Sequence, residues 1–192
     1  MPSDDSLSFL NGPVDKVAPS LLGCVLERVI NGKLMRARIV ETEAYDQLDT
    51  ASHSYKHKTT RTSVMFGPAG YLYVYFTYGM HYCCNIVVGP EGHGAAVLIR
   101  AVEPLEGEEI MALGRPSHPG KDLTNGPAKL CQALGIDKAL NGHNLRQGSL
   151  QLIEQPALGS KQIVQTVRVG ISQAKDVPWR FYIRGNDYVS RP

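Results

Sequence analysis

The stretch GYLYVYFTYGMHYCCNIVV, from Gly70 to Val88, decides the fold class. Aromatic and β-branched residues favour a pleated, half-buried surface, and the run reads as two strands joined at Gly79-Met80. A glycine at the first central position of a two-residue loop is the mark of a type II′ turn. That pattern predicts an antiparallel hairpin.

The neighbouring sequence extends the pattern. Upstream, CVLERVI (Cys24 to Ile30) and LMRARIVETEAY (Leu34 to Tyr45) read as strands, and Asn31-Gly32 between them is a strong hairpin signal. Ala18 to Gly23 looks like a short helical turn. Downstream, AAVLIRAV (Ala95 to Val102) is a further buried strand, and Leu105 to Leu113 is a helix candidate. Pro127 opens AKLCQAL and Gly135 sits past its end, the punctuation of another helix. Ile163 to Val169 and Arg180 to Ile183 are the last strand candidates. Strand exceeds helix, and the turns are short. The expected class is therefore α+β, a single domain over residues 1–192 built on a curved antiparallel sheet with flanking helices and a protruding β-hairpin.

Composition narrows the class. Hydrophobic residues make up 43% and charged residues 20% of 192, the balance of a globular chain able to bury a core. No apolar run approaches the length of a membrane span. The acidic start, MPSDDSLSFL, does not resemble a secretory signal, so a cytoplasmic location is expected. Cys24, Cys83, Cys84 and Cys131 form no C-x-x-C pair, which argues for reduced, buried thiols and against a zinc ribbon. Net charge is only +2, but HSYKHKTTR (His53 to Arg61) is locally basic. Arg168, Arg180, Arg184 and Arg191 follow near the other end. A basic surface of this kind suits a polyanion, and suits ordinary solvated loops as well.

Several residues carry candidate chemistry. Strand alternation puts Glu41 and Glu43 on one face. Such a pair could ligate metal, supply a general base, or face solvent. The loop from Asp46 to about Pro68 is long for a compact domain, and loops of that length are often functional. Its His53 matters only if the loop folds back over Glu43. Four of the nine tyrosines, Tyr71, Tyr73, Tyr75 and Tyr78, fall within eight residues. Packing accounts for part of that, but not for a hairpin tip carrying Tyr78 and Met80, where polar residues are usual. An apolar tip is either covered by another loop or meets a partner, such as a base step that it wedges apart. Asn85, within CCNIVV, must satisfy its amide internally or against a ligand. Arg100 interrupts an apolar strand and needs an anion, with Glu43 or Glu103 available. The turn before Pro127, with Lys129, could hold a phosphate.

Taken in order, ETEAY, ASHS, MFGPAGYLYVYFTYGMHYCCNIV, VLIRAVEPLEG, NGPAKLCQALGI and RFYIRG resemble the alkyladenine (3-methyladenine, or methylpurine) DNA glycosylases. The similarity runs from about Leu10 to Ser190. It implies an enzyme that flips damaged purines from double-stranded DNA and hydrolyses their N-glycosidic bond, without metal or cofactor. By residue, the resemblance makes Glu43 the base that activates water, with Arg100 and the backbone of Val169 helping to hold that water. Tyr45 would stack on one face of the flipped base, with His53 and Tyr75 on the other. Asn85 would oppose undamaged guanine, while Tyr78, with Met80 beside it, would enter the duplex. The family pattern departs at Arg61-Thr62, where some members have Arg-Asn. The segment Gln173 to Pro178 is also shorter than in vertebrate members. A monomeric, bacterial-type enzyme acting on nucleoid DNA is the expectation. A non-catalytic DNA-binding module, or a metal hydrolase using Glu41, Glu43 and His53, are the competing readings.

Overall fold

The computed structural model describes residues 6–77 and 79–191. Tyr78, the expected wedge, lies outside the described residues. Along the chain come α1 (Val14–Ser20), β1 (Val25–Ile30), β2 (Lys33–Tyr45), β3 (Leu72–Thr77), β4 (His81–Val87), β5 (Ala96–Glu106), α2 (Glu108–Leu113), α3 (Pro127–Ala133), β6 (Leu150–Ile153), β7 (Ile163–Thr166) and β8 (Arg180–Ile183). The eight strands form one curled antiparallel sheet in the order β3-β4-β5-β2-β1-β6. β8 pairs with β2 and β7. The α+β expectation holds. Among the described residues, no helix is long and apolar enough to cross a membrane.

Asn31 (φ 51°) and Gly32 (φ 74°) both sit in the left-handed region, which is what a type I′ turn demands of its two central residues. The β3–β4 connection differs from the expected type II′ turn. Thr77 pairs with His81, so three residues form the loop. The Met80 N–H donates to the Thr77 carbonyl at 3.3 Å, which makes Gly79 (φ 69°) the second central residue of that turn. Element ends also shift. α1 begins four residues before Ala18, because Val14, Val17, Ala18 and Leu21 are spaced to bury one helical face. Leu105 and Glu106 finish β5, and α2 starts only after Gly107 turns the chain at φ 74°. β7 stops at Thr166, short of Val169. β6 was not foreseen: LQLI is only four residues long, burying Leu150 and Leu152 on one side.

The central strand β2 positions the site. Its first half pairs with β1 through Arg38. Beyond that point β8 takes the vacated edge, pairing with Glu41 to Glu43, while β5 runs along the other side. Met35, Ala37 and Ile39 point into the main core. Unbroken alternation would put Glu41 and Glu43 there too. Instead the β2–β5 register slips between Ile39 and Glu41 and again between Glu41 and Thr42, leaving Val40 and Arg100 without Cα partners. An extra residue in a ladder inverts which face the following side chains take. After the bulge it is Ala44 that joins the core and Thr42 that hydrogen-bonds the Ala18 carbonyl of α1, at 2.9 Å. Glu41, Glu43 and Tyr45 are thereby moved to the opposite face.

Candidate active site

The β3–β4 hairpin supplies one wall. Tyr73 stands opposite Asn85, and Tyr75 opposite Cys83, so odd-numbered residues line one face. Leu72, Val74, Cys84 and Ile86 fill the core on the other face, which explains both the tyrosine repeat and the CysCys pair. All four cysteines are free thiols and buried.

The long loop after β2 does return to the sheet. His93 Nε2 lies 2.7 Å from Asp46 Oδ2, the Gly94 N–H donates to Gln47 Oε1 at 2.9 Å, and Ser54 Oγ donates to the Gly94 carbonyl at 2.7 Å. These bonds bring His53 edge-on to Tyr75, with ring centroids 4.6 Å apart, and place its Nδ1 3.3 Å from the Tyr73 hydroxyl. Tyr73 and Tyr75 stack at 5.6 Å.

Between these parts lies a cavity of about 480 Å³. Tyr45, His53, Tyr75, Asn85, Arg100 and Val169 all line it. Six of the expected site residues thus converge from β2, the long loop, β3, β4, β5 and the turn after β7. Glu43 is fully buried at the edge of this space, behind Tyr45, Arg100 and Val169. Its Oε2 accepts from the Tyr45 hydroxyl at 2.8 Å, and its Oε1 accepts from the Val169 N–H at 2.7 Å. Arg100 Nη1 is 3.4 Å from Oε1. A solvent-facing role for this carboxylate is excluded by its burial. Met80 is 68% exposed at the hairpin tip, and among the described residues no loop covers it; Phe76 nearby is 52% exposed.

The electrostatics favour neutral walls. Burial, aided by the Arg61 charge, lowers the His53 imidazole to about 4, so it is uncharged near neutral pH. Burial raises the Tyr75 hydroxyl well above its ordinary range; it raises the Tyr45 hydroxyl likewise, reinforced by Glu43. Burial also pushes the Cys83 thiol up to about 11. Burial disfavours the Arg100 charge, but Glu43 and Glu41 outweigh that and hold its pKa above the usual arginine value.

Some expectations fail here. Glu103 is not the partner of Arg100; it binds Arg38 at 3.0 Å and Asn186 at 2.8 Å. Arg168 and Arg180 are not surface cations but buried ion-pair members, with Asp49 and Glu41. Lys129 is held by Asp122 and Asn125, so its ammonium is already paired within the chain. Glu41 is taken by Arg100, Arg180 and Ser190, so it offers nothing to a shared metal with Glu43 and His53. Among the described residues, no three His, Cys, Asp or Glu side chains are grouped to hold a metal ion.

The structure adds residues that sequence reasoning missed. Tyr73 lines the cavity, and Ile171, Ser172 and Gln173 form its outer rim. Arg168 packs its guanidinium over Tyr45 at 4.8 Å and over Trp179 at 5.6 Å, and donates to the Ala44 carbonyl at 2.9 Å. Tyr73 was legible from its odd-numbered place beside Tyr75. Arg168 had no local signal, because its partner Asp49 lies in a distant loop.

A family model of the methylpurine-DNA glycosylases matches residues 8–187, nearly the whole chain. The chain belongs to the methylpurine-DNA glycosylase family. It is a DNA glycosylase, a hydrolase of DNA repair that acts on DNA. Curated relatives agree. A protein of Carboxydothermus hydrogenoformans is 51% identical over 176 residues, covering 91% of this chain and 92% of its own. One from Methanoculleus marisnigri is 51% identical over 181 residues, with the same coverage. A third, from Nitrosospira multiformis, is 47% identical over 190 residues, covering 99% of this chain and 95% of its own. All three carry 3-methyladenine DNA glycosylase in their names. For this glycosylase, then, the cavity is the candidate active site.

Proposed function

We propose that this glycosylase turns a damaged purine, alkylated or deaminated, out of duplex DNA into the aromatic cavity and hydrolyses its N-glycosidic bond with water activated by Glu43. The observation that carries the reading is a fully buried carboxylate, held by Tyr45, Val169 and Arg100, behind a cavity walled by Tyr45, His53, Tyr73 and Tyr75.

A cavity of this volume lies in the usual range for small-ligand sites. Stacking on aromatic faces is worth about 1–3 kcal/mol per base and tolerates different purines. Tyr45 takes one face of the base, and His53 with Tyr75 the other. The aromatic walls suit this task, since they add no positive charge to repel a cationic alkylated base, and the Arg100 charge on the lining faces Glu41 and Glu43. Asn85 Nδ2 donates to the Tyr73 carbonyl at 3.2 Å, which fixes the amide. An undamaged guanine would present its exocyclic amine to that fixed group and leave a polar contact unmade. At the hairpin, Tyr78 and Met80 enter the base stack and hold the duplex open.

In the chemical step Glu43 accepts a proton from water, the water oxygen bonds to the sugar carbon, and the base leaves with the bonding electrons. An abasic site remains. The ionised Glu43 also faces the positive charge that develops on the sugar. Arg100 and the Val169 N–H keep the carboxylate and the incoming water in place. The described lining of the cavity comes from one chain, which supports a monomer as the working unit.

Glu43→Gln tests the reading. Release of methylpurines from methylated duplex DNA should fall by at least ~10²-fold, while binding to a duplex containing an abasic site persists. Release by this variant at the wild-type rate would refute it.

A further inference from the structure

The other carboxylate of the same strand, Glu41, does not line the cavity, yet it is the most heavily hydrogen-bonded carboxylate among the described residues. Its Oε1 accepts from Arg180 Nε at 2.7 Å, from Ser190 Oγ at 2.9 Å and from Arg100 Nε at 3.0 Å. Its Oε2 accepts from the Ser190 N–H at 2.6 Å. Arg100 Nη2 in turn reaches Ser190 Oγ at 3.4 Å. Each nitrogen of the Arg100 guanidinium is therefore assigned: Nε to Glu41, Nη2 to Ser190, and Nη1 toward Glu43 at 3.4 Å.

From this geometry we infer that Glu41 is a positioning residue for the glycosylase reaction, which with Ser190 fixes Arg100 at a set distance from Glu43. The inference rests on the reading of Glu43 as the base. Arg100 stands on β5, Arg180 on β8 and Ser190 in the C-terminal segment, so three separate elements are tied to one carboxylate of β2.

The consequence is chemical as well as structural. Two buried arginines face two buried carboxylates, and the charges balance. In Glu41→Gln, Arg100 keeps only an uncharged amide acceptor for its Nε, and Glu43 is left as its carboxylate partner. A fork of two parallel N–H groups pairs readily with one carboxylate. Such a pair would occupy the lone pairs on which Glu43 must take the proton from water. The groups that face Glu43 are Tyr45 from β2, Arg100 from β5 and the Val169 N–H after β7. Those around Glu41 are Arg100, Arg180 with Tyr182 beneath it on β8, and Ser190; the Arg191 carbonyl accepts from Arg180. Cys83 on β4 lies near Arg100 and stays a neutral thiol.

Single-turnover release of methylpurines from methylated duplex DNA, measured for the full-length Glu41→Gln, Ser190→Ala and Glu43→Gln variants, tests this. Binding to an abasic duplex is measured alongside. Glu41→Gln should lose up to roughly 100-fold in rate. Its abasic-DNA binding should stay within about twofold of wild type. Ser190→Ala should show a smaller loss in the same direction. A Glu41→Gln variant with the wild-type rate overturns the inference. So does one whose loss of rate is matched by an equal loss of binding to the abasic duplex. In both cases an inactive Glu43→Gln leaves the role of Glu43 standing. Wild-type release by Glu43→Gln overturns both. If Glu41→Gln does not fold, an unchanged rate in Ser190→Ala overturns the inference by itself.

Discussion

Replacing Arg168 by leucine removes the cation that joins two loops behind the cavity. Its side chain is fully buried, and that of Asp49 is only 4% exposed. Nη1 reaches Asp49 Oδ2, and Nη2 bonds Asp49 Oδ1 at 3.1 Å, a two-pronged ion pair. The same guanidinium donates to the carbonyls of Ala44 and Ala174 and packs on Tyr45 and Trp179. Leucine keeps some of the packing but strands the Asp49 carboxylate in the interior. Breaking a buried pair from one side costs about 3–5 kcal/mol. For a chain of this size that lowers the melting temperature by roughly 10 °C. The Val169 N–H on Glu43 belongs to the next residue, so base release should fall with it. Thermal denaturation followed by circular dichroism measures the effect, in a double-mutant cycle with Asp49→Asn. The double variant should be less destabilised than the sum of the two single changes, because the uncompensated charge is gone. If Arg168→Leu stays within about 1 kcal/mol of wild type, or the two changes simply add, the pair does not hold the loops and the reasoning fails.

His53 should titrate near 4 when its ring protons are followed by nuclear magnetic resonance, not near the ordinary 6.5. The folded chain then binds fewer protons than the unfolded chain between those values, so this histidine's contribution to stability is complete above about 6.5 and lost as the pH falls toward 4. A His53→Gln variant should show a flatter decline in melting temperature over that interval, and a titration midpoint at 6 or above contradicts the buried, neutral ring. At the hairpin tip, Tyr78→Ala or Met80→Ala should weaken binding to lesion-containing duplex by about tenfold while sparing single-stranded DNA. Equal loss on both substrates in a fluorescence anisotropy titration would assign those side chains to packing instead.

Much of this molecule was readable from local chemistry. Asn31-Gly32 permits the left-handed turn that joins β1 to β2. The alternation of Tyr71, Tyr73 and Tyr75 against Leu72 and Val74 places aromatics on one face of a strand and aliphatics on the other. An arginine inside VLIRAV announced a buried anion. The ordered motifs identified the family and, through it, the residues that converge on the cavity. These signals are local because turn dihedrals and strand periodicity depend on a few adjacent residues.

Other features depend on residues far apart in the chain. Alternation alone put Glu41 and Glu43 on one face, yet an unbroken strand would have buried both in the apolar core. The bulge opposite Arg100 turns them to the cavity side, and a bulge arises from the match between two strands about 60 positions apart, not from either one. The partition of labour between the two glutamates followed from the same packing. Arg100 was expected to choose between Glu43 and Glu103; Glu41 took its Nε because β8 and the C-terminal segment deliver Arg180 and Ser190 to the same point. Charge composition likewise could not tell the exposed lysines of the basic loop from Arg168 and Arg180, since burial is decided by which carboxylate the fold brings alongside. The sequence alone thus determined seven of the eight strands, the family and the candidate site residues. The tertiary structure decided their orientation and their partners, because both are set by contacts between segments that only meet once the sheet has curled.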